Sequence, residues 1–332
     1  MRIGLSYDLK SAVTLDTADP EDALEEYDSL ETVEIIATAL NAAGHSVVML
    51  GGGDEFLENI LRQKVDIVFN IAEGRGNSRS RESQVPAVLE MLGIPFTGSD
   101  SHCLTVCLDK PLAKKLVAAE GVATPKWCLV NDEAELSNMA WERFPAIVKP
   151  AYEGSSKGIR LTSVVDNVEQ LRQEVSRLLN DYRQPVMVEE FISGDEVTLG
   201  IIGNAPPKVI GMMRILPRNK EERFVYSLEV KRDYLNLVNY ESPPQLADKV
   251  LSGIASAGLK VFRVLGCRDF ARIDFRVGHN GIPYFLEINP LPGLGTYSDL
   301  VIMAQKLGWT HQGLIQAVLE AALRRCSPCV AV

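Results

Sequence analysis

The strongest constraint in this chain lies near its C-terminus. Arg272-Ile-Asp274-Phe-Arg-Val is followed by the turn Gly278-His-Asn-Gly281 and then by Tyr284-Phe-Leu-Glu287-Ile-Asn289-Pro290. Both runs alternate apolar and polar residues with period two, the signature of half-buried strands, and the glycine-bearing turn suits a hairpin. With His279 and Asn280 at the tip, Arg272 lies opposite Glu287. Asp274 and Asn289 share that face, because side chains two apart point the same way. A one-residue change of loop register would send the two polar rows to opposite faces. In the expected register, two carboxylates, an amide oxygen and an arginine meet in one small volume. Hard oxygen donors in that number suit Mg²⁺, whose shell is completed by water and substrate phosphates.

The 332 residues allow two or three domains, and 46% hydrophobic with 23% charged residues is ordinary for a soluble globular protein. A net charge of −10 argues against nucleic acid or an anionic membrane as the main partner. The N-terminus has no apolar core of a signal peptide, and no apolar run reaches bilayer length, so a cytoplasmic enzyme is expected. The six cysteines read as reduced thiols. Cys326-Ser-Pro-Cys329 has no second pair to complete a zinc site.

Short apolar runs alternate with helical stretches over the first hundred residues (strands at Arg2–Tyr7, Ser46–Leu50 and Asp66–Ile71, a helix at Leu30–Ala43). That alternation predicts a parallel α/β sheet with ligands at its C-terminal strand ends. Further strands are expected at Thr124–Val130, Ala146–Lys149, Ile159–Thr162, Pro185–Phe191 and Glu196–Gly203. Helices are expected at Asp109–Glu120, Val168–Leu179, Pro243–Leu265 and Trp309–Arg325. Residues 218–232 are highly charged and glycine-free, a candidate lid.

A glycine-rich loop, Glu153-Gly-Ser-Ser-Lys-Gly158, follows Lys149. Small residues let backbone N–H groups approach phosphate oxygens, and Lys157 adds charge; a plain polar turn has the same composition. Lys149 ends an apolar strand and needs an anionic partner, and Lys110 offers another cation. Glu189, Glu190 and Glu196 flank a strand end, where they are either solvated or able to accept from ribose hydroxyls.

The order of these motifs resembles the ATP-grasp enzymes, and among them the D-alanine–D-alanine ligase family. The resemblance runs from about Asn70 to Arg325. It rests on Gly93-Ile-Pro-Phe-Thr-Gly-Ser99, Asp109-Lys110, Val148-Lys-Pro-Ala-Tyr-Glu-Gly-Ser-Ser156, Val188-Glu-Glu-Phe-Ile-Ser-Gly-Asp-Glu-Val-Thr198, Ala271-Arg-Ile-Asp-Phe275, Leu286-Glu-Ile-Asn289 and Pro292-Gly293. It implies an ATP-grasp fold, α/β plus α+β, with an N-terminal Rossmann-like domain over 1–105. A small central subdomain (106–192) would carry the glycine-rich loop, and a C-terminal subdomain (193–332) the metal site. Lys110 and Lys149 then resemble the phosphate-holding lysines, with Glu153, Ser155 and Ser156 in the closing loop. Glu189, Glu190 and Ile192 resemble the adenine edge, with Leu286 also at the nucleotide, and Glu196 the ribose ligand. Lys231 looks like the lid lysine. Asp274, Glu287 and Asn289 match the metal ligands, and Arg272 the arginine facing developing charge. Gly293 sits in the turn that supports that site, on the substrate side, and Ser298 falls where the family binds the second substrate's carboxylate. The implied reaction joins a carboxylate to an amine through an acyl phosphate, using ATP and Mg²⁺ (two ions, with Mn²⁺ able to substitute). Its partners are small-molecule acids and amines, and the resemblance allows a homodimer.

Three departures fall on the first-substrate region. Gly4-Leu-Ser-Tyr-Asp-Leu-Lys10 lacks the family's glutamate, Ala72 to Arg81 replaces a His-Gly…Gly-Glu-Asp-Gly segment, and Arg232 stands where the family has tyrosine. Arg75, Arg79, Arg81 and Arg232 either face an extra anionic group on a larger first substrate or pair with local acids such as Glu82. Glu73 is the first substitute for the missing ammonium partner. A ligase of a different acid, a kinase stopping at the phosphorylated acid and a non-catalytic nucleotide binder all remain compatible with the motifs.

Overall fold

The computed structural model describes residues 1–17, 19–219 and 223–326. Strands β1 (Arg2–Ser6), β2 (Ser46–Gly51) and β3 (Ile67–Asn70) form a parallel sheet in the order β2-β1-β3, and a single bridge from Val68 to Phe96 extends it. Helices α1 (Leu30–Ala42), α2 (Gly53–Arg62) and α3 (Gln84–Leu92) pack around it; Ser29 caps α1 by accepting from the Thr32 N–H. The sequence missed α2, whose amphipathic pattern is short and opens on glycines.

Helices α4 (Ser101–Leu108) and α5 (Lys110–Ala119) follow. The central sheet has the order β4-β7-β5-β6, built from β4 (Trp127–Val130), β5 (Ala146–Pro150), β6 (Val164–Val165) and β7 (Val186–Glu190). Helices α6 (Glu133–Asn138) and α7 (Val168–Tyr182) cover it through Leu136, Leu171, Val175 and Leu178. The expected strand Ile159–Thr162 is not formed. The chain makes a tight turn at Leu161–Ser163, held by the Ser163 hydroxyl accepting from the Arg160 N–H, and pairs only at β6.

A five-stranded antiparallel sheet completes the fold, in the order β10-β9-β8-β11-β12. Its parts are β8 (Gly194–Ile202), β9 (Lys208–Pro217), short helices α8 (Leu228–Arg232) and α9 (Tyr234–Leu237), β10 (Val238–Glu241), helix α10 (Asp248–Val264), β11 (Phe270–Gly278) and β12 (Pro283–Asn289). Helices α11 (Asp299–Lys306) and α12 (His311–Cys326) end the described chain. The candidate lid is not loop throughout, since 228–232 is helical; residues 220–222 within it and Cys329 lie outside the described residues.

Hydrophobic cores do not follow the expected boundaries. Val106, Cys107, Ala113 and Val117 of α4 and α5 fall within 106–192, yet they pack with Leu199, Ile273 and Phe285 of the five-stranded sheet. Conversely, Leu314, Val318 and Ala322 of α12 pack with Val33 and Ile36 of α1. Both helices sit where an apolar stripe would otherwise face water. Phe285 is fully buried and meets Phe275 edge-on at 6.2 Å between centroids. Phe285→Ala should lower stability by about 3–5 kcal/mol, measured as a reduced urea midpoint at unchanged slope. A loss below about 1 kcal/mol would mean that the surrounding core closes over the gap.

Candidate active site

The hairpin forms in a register different from the expected one. The loop contains three residues, His279, Asn280 and Gly281, with Gly281 in the left-handed region at φ +74 and its N–H donating to the Gly278 carbonyl at 2.8 Å. That extra residue alone would split the polar rows between two faces. A bulge corrects it: Phe275 pairs with Phe285, but Asp274 pairs with Glu287 and Arg272 with Asn289, leaving Leu286 as the extra residue. All four groups therefore share a face, with different partners from those expected.

Asp274 accepts from the Thr198 hydroxyl at 2.5 Å, from Arg272 Nη2 at 2.9 Å and from Asn289 Nδ2 at 3.2 Å. Glu287 pairs with Lys110 at 3.3 Å. Burial would raise the Glu287 carboxyl, but Lys110, Lys149 and Arg272 outweigh it and hold it at about 2. Arg272 also reaches Asp299 at 3.6 Å. Two carboxylates paired directly across adjacent strands, with an amide against one of them, form a donor set that fits Mg²⁺.

Opposite this edge, Lys149 on β5 and Lys114 on α5 grip the two oxygens of Glu189 at 2.6 and 2.5 Å. Lys114 is fully buried and also donates to the Phe285 carbonyl at 2.9 Å; burial lowers its pKa to about 8 against the pull of Glu189. Glu189 is 1% exposed, and its carboxylate holds the two lysines where it lines a narrow cavity. Lys114 was not anticipated, although it lies four residues after Lys110 and so on the same helix face. Glu196 pairs with Arg276 at 3.2 Å, and Arg276 stacks on Phe191 at 4.9 Å; this arginine was also missed. Glu190, Ile192, Glu196 and Leu286 line a narrow cavity of about 80 Å³ together with Lys149, Ser156 and Asp274.

The glycine-rich loop departs most from expectation. Ser155 and Ser156 adopt left-handed backbone at φ 50 and 60. The Ser156 hydroxyl donates to the Tyr226 carbonyl at 2.9 Å, fastening the loop to the lid. The Gly154 and Gly158 N–H groups donate to Glu26 at 2.6 Å and Asp22 at 2.9 Å, so chain carboxylates take these two donors. Lys157 pairs with Glu26 and Glu153, and Glu153 also accepts from Arg81 and Gln184. Neither Lys157 nor the Glu153 carboxylate is free to meet a phosphate.

The arginines are likewise engaged by this chain. Arg81 is buried and donates to both oxygens of Glu26 at 2.8 and 2.7 Å and to Glu153 at 3.0 Å. Arg75 pairs with Asp8, Arg79 with Asp109, and Arg232 with Glu25. Of the two alternatives for these arginines, a substrate anion or local acids, the structure pairs each with an acid of this chain.

A second, larger cavity of about 450 Å³ is lined by Lys110, Ser155, Arg232, Asn289, Gly293 and Ser298, with Asp28, Glu73 and Glu82 on another wall. Tyr226, Lys231, Arg272, Glu287 and Asp299 line both cavities, so the two meet there. The 21–28 segment, which supplies so many of these contacts, carried no motif; only its density of acids marked it.

A family model described as D-ala D-ala ligase C-terminus matches residues 116–320. A D-alanine–D-alanine ligase of Aquifex aeolicus is 36% identical over 293 residues, 88% of this chain and 94% of the relative. One from Pelotomaculum thermopropionicum is 30% identical over 307 residues, 90% and 93% of the two chains. The crystal structure of a Bacillus anthracis D-alanine–D-alanine ligase complexed with ATP superposes with TM-score 0.73 at 23% identity, covering 98% of each chain. The fold is therefore that of the ATP-grasp ligases. The chain belongs to the D-alanine–D-alanine ligase family and is an ATP-dependent ligase forming C–N bonds. No helix among the described residues is long and apolar enough to cross a membrane.

The acidic wall sets a pH dependence. Burial and Asp8 push Asp28 up to about 7. Burial pushes Glu82 up to about 7, with Glu26 adding and Arg81 opposing. Unfolded carboxyls titrate near 4, so between about pH 4 and 7 the folded state binds more protons and these groups reduce stability as pH rises. Glu82→Gln should gain thermal stability relative to wild type as pH is raised across that window, followed as Tm against pH. A constant difference in Tm would show that Glu82 does not titrate there.

Proposed function

We propose that the protein activates the carboxyl group of one amino acid with ATP and joins it to the amino group of a second, releasing ADP and phosphate. The observation that carries this reading is the common wall of the two cavities, where Lys231, Arg272 and Glu287 face both the nucleotide side and the substrate side. The names of the relatives support amino acids as both substrates.

In this reading ATP enters the narrow cavity, with adenine against Ile192 and Leu286, ribose at Glu196, and phosphates toward Lys149, Lys110 and Lys231. At about 80 Å³ the cavity is smaller than ordinary ligand pockets, so the 224–232 cover must lift to admit a nucleotide. Asp274, Glu287 and Asn289 would hold Mg²⁺, for which Mn²⁺ can substitute; when bound, the metal neutralises phosphate charge. A carboxylate oxygen of the first substrate attacks the γ-phosphorus, the bond to ADP breaks, and an acyl phosphate forms. The second amino group attacks that carbonyl, phosphate departs and the nitrogen loses a proton. Arg272 offsets negative charge on the oxygens in both steps, a task that needs position more than covalent participation. Gly293 keeps the turn open beside Ser298, since a Cβ there would come within 2.8 Å of the Ser298 hydroxyl, and Ser298 faces the second substrate's carboxylate. Closing the cover keeps water from the acyl phosphate.

ADP release with amino-acid pairs, together with mass spectrometry of the products, tests the reaction. A dipeptide-mass product and stoichiometric ADP are expected, whereas ADP without a ligated product would make the protein an acid kinase. Glu287→Gln should lower kcat/KM by about 10²-fold or more while leaving the circular dichroism spectrum unchanged. Full activity would remove Glu287 from the metal site. Lys149→Ala should weaken ATP binding far more than amino-acid binding, read by calorimetry. Equal ATP affinity would assign Lys149 a purely structural part beside Glu189.

A further inference from the structure

The cations lining the larger cavity are mostly spent. Lys110 is held by Glu287 and the Glu153 carbonyl, Arg272 by Asp274 and Asp299, and Arg232 by Glu25. Lys231 rests over the Tyr226 ring at 5.3 Å, at the junction with the nucleotide cavity. Among the described residues, by contrast, the side chains of Asp28, Glu73 and Glu82 line this cavity without a hydrogen bond or ion pair of their own. They lie near enough to act on one another: burial raises the Glu73 carboxyl well above the usual range, and Glu82, Glu26 and Asp28 raise it further against the pull of Arg81. A single α-ammonium can neutralise one of these groups. Their donor atoms also do not converge as ligands of one ion would, since Cys103, Cys107 and Cys267 form the described three-residue group within 4.8 Å.

We propose that the first substrate carries a second cationic group besides its α-ammonium, as a diamino acid or an amino acid with a basic side chain does, and that Asp28, Glu73 and Glu82 receive the two positive charges. The proposal rests on the ligase reading above and names the substrate class of that site. Charge-assisted bonds to the second cation should make the preference tenfold or steeper, a tenfold change being about 1.4 kcal/mol. Neutral side chains would leave these half-buried acids unanswered, and acidic ones would add like charge.

The test compares lysine, ornithine, norleucine, alanine and glutamate as first substrates, each as D and L enantiomers, in an ADP-release assay with MgATP and product mass spectrometry. Norleucine matches lysine in length without its charge. The expected result is a kcat/KM at least about tenfold higher for lysine or ornithine than for norleucine and alanine, with glutamate lowest. Glu73→Gln and Glu82→Gln should each reduce the lysine-to-norleucine ratio, and lysine but not norleucine should raise the Tm of wild-type protein without ATP. Alanine or norleucine used as well as lysine would overturn the proposal and leave the ligase reading intact. No ADP release with any amino acid would overturn both. A preference for lysine that both variants retain would assign the second charge to other residues and overturn the role given to this wall.

Discussion

One buried carboxylate, Glu26, ties together parts of the chain that no sheet connects. It receives both ends of a bond pair from Arg81 beside α3, an N–H from Gly154 and an ion pair from Lys157 in the glycine-rich loop. Burial opposes its ionisation, yet these partners hold its carboxyl at about 2. A buried charge with this many donors fixes geometry because losing any one donor leaves the others uncompensated. The 21–28 segment is thereby pinned against the loop, and through Arg232–Glu25 against the cover as well. The walls of the substrate cavity are in large part consequences of that clamp.

The nucleotide side is organised by the same rule with opposite signs. Lys114 and Lys149 would repel each other in a dry interior, and Glu189 between them relieves this. Lys149 is thus presented at a fixed position without lying free. On the facing sheet, Arg272 plays the corresponding part among Asp274, Asp299 and Glu287, and burial is overcome by those acids so that it stays charged. Between the two layers lies a volume bordered by fixed, unlike charges, the arrangement that stabilises transferring phosphoryl groups with little reorganisation. The side away from the nucleotide is different in character. There the unpartnered groups among the described residues are acids whose protonation burial favours, and the cavity is wide.

The motifs read from the chain were those in which local spacing and chemistry coincide. Period-two alternation identified β11 and β12 and the four polar groups on them, and the apolar strand before Lys149 identified a buried cation. Helix ends at Gly93 and Gly121, and the Asp109 cap before α5, were legible because capping is local. Elements lacking such signals were missed: α4, β9 and α11 are short apolar stretches whose period is ambiguous until a neighbour is known.

What the sequence by itself determined was membership of the ligase family, the strand face bearing Arg272, Asp274, Glu287 and Asn289, and Lys149 opposite it, because each rests on motifs that are short and locally legible. Only the tertiary structure decided who pairs with whom. The loop of three residues and the bulge at Leu286 changed every cross-strand partner while preserving the face, which period-two reasoning cannot distinguish from a plain hairpin. The arginines at 75, 79, 81 and 232 allowed either a substrate anion or local acids in one dimension and pair with Asp8, Asp109, Glu26 and Glu25 in three. The acids left over, Asp28, Glu73 and Glu82, come from separate stretches of chain, and their lack of partners among the described residues is a property of the folded cavity, because a charge's partner is set by distance in space and not by position along the chain.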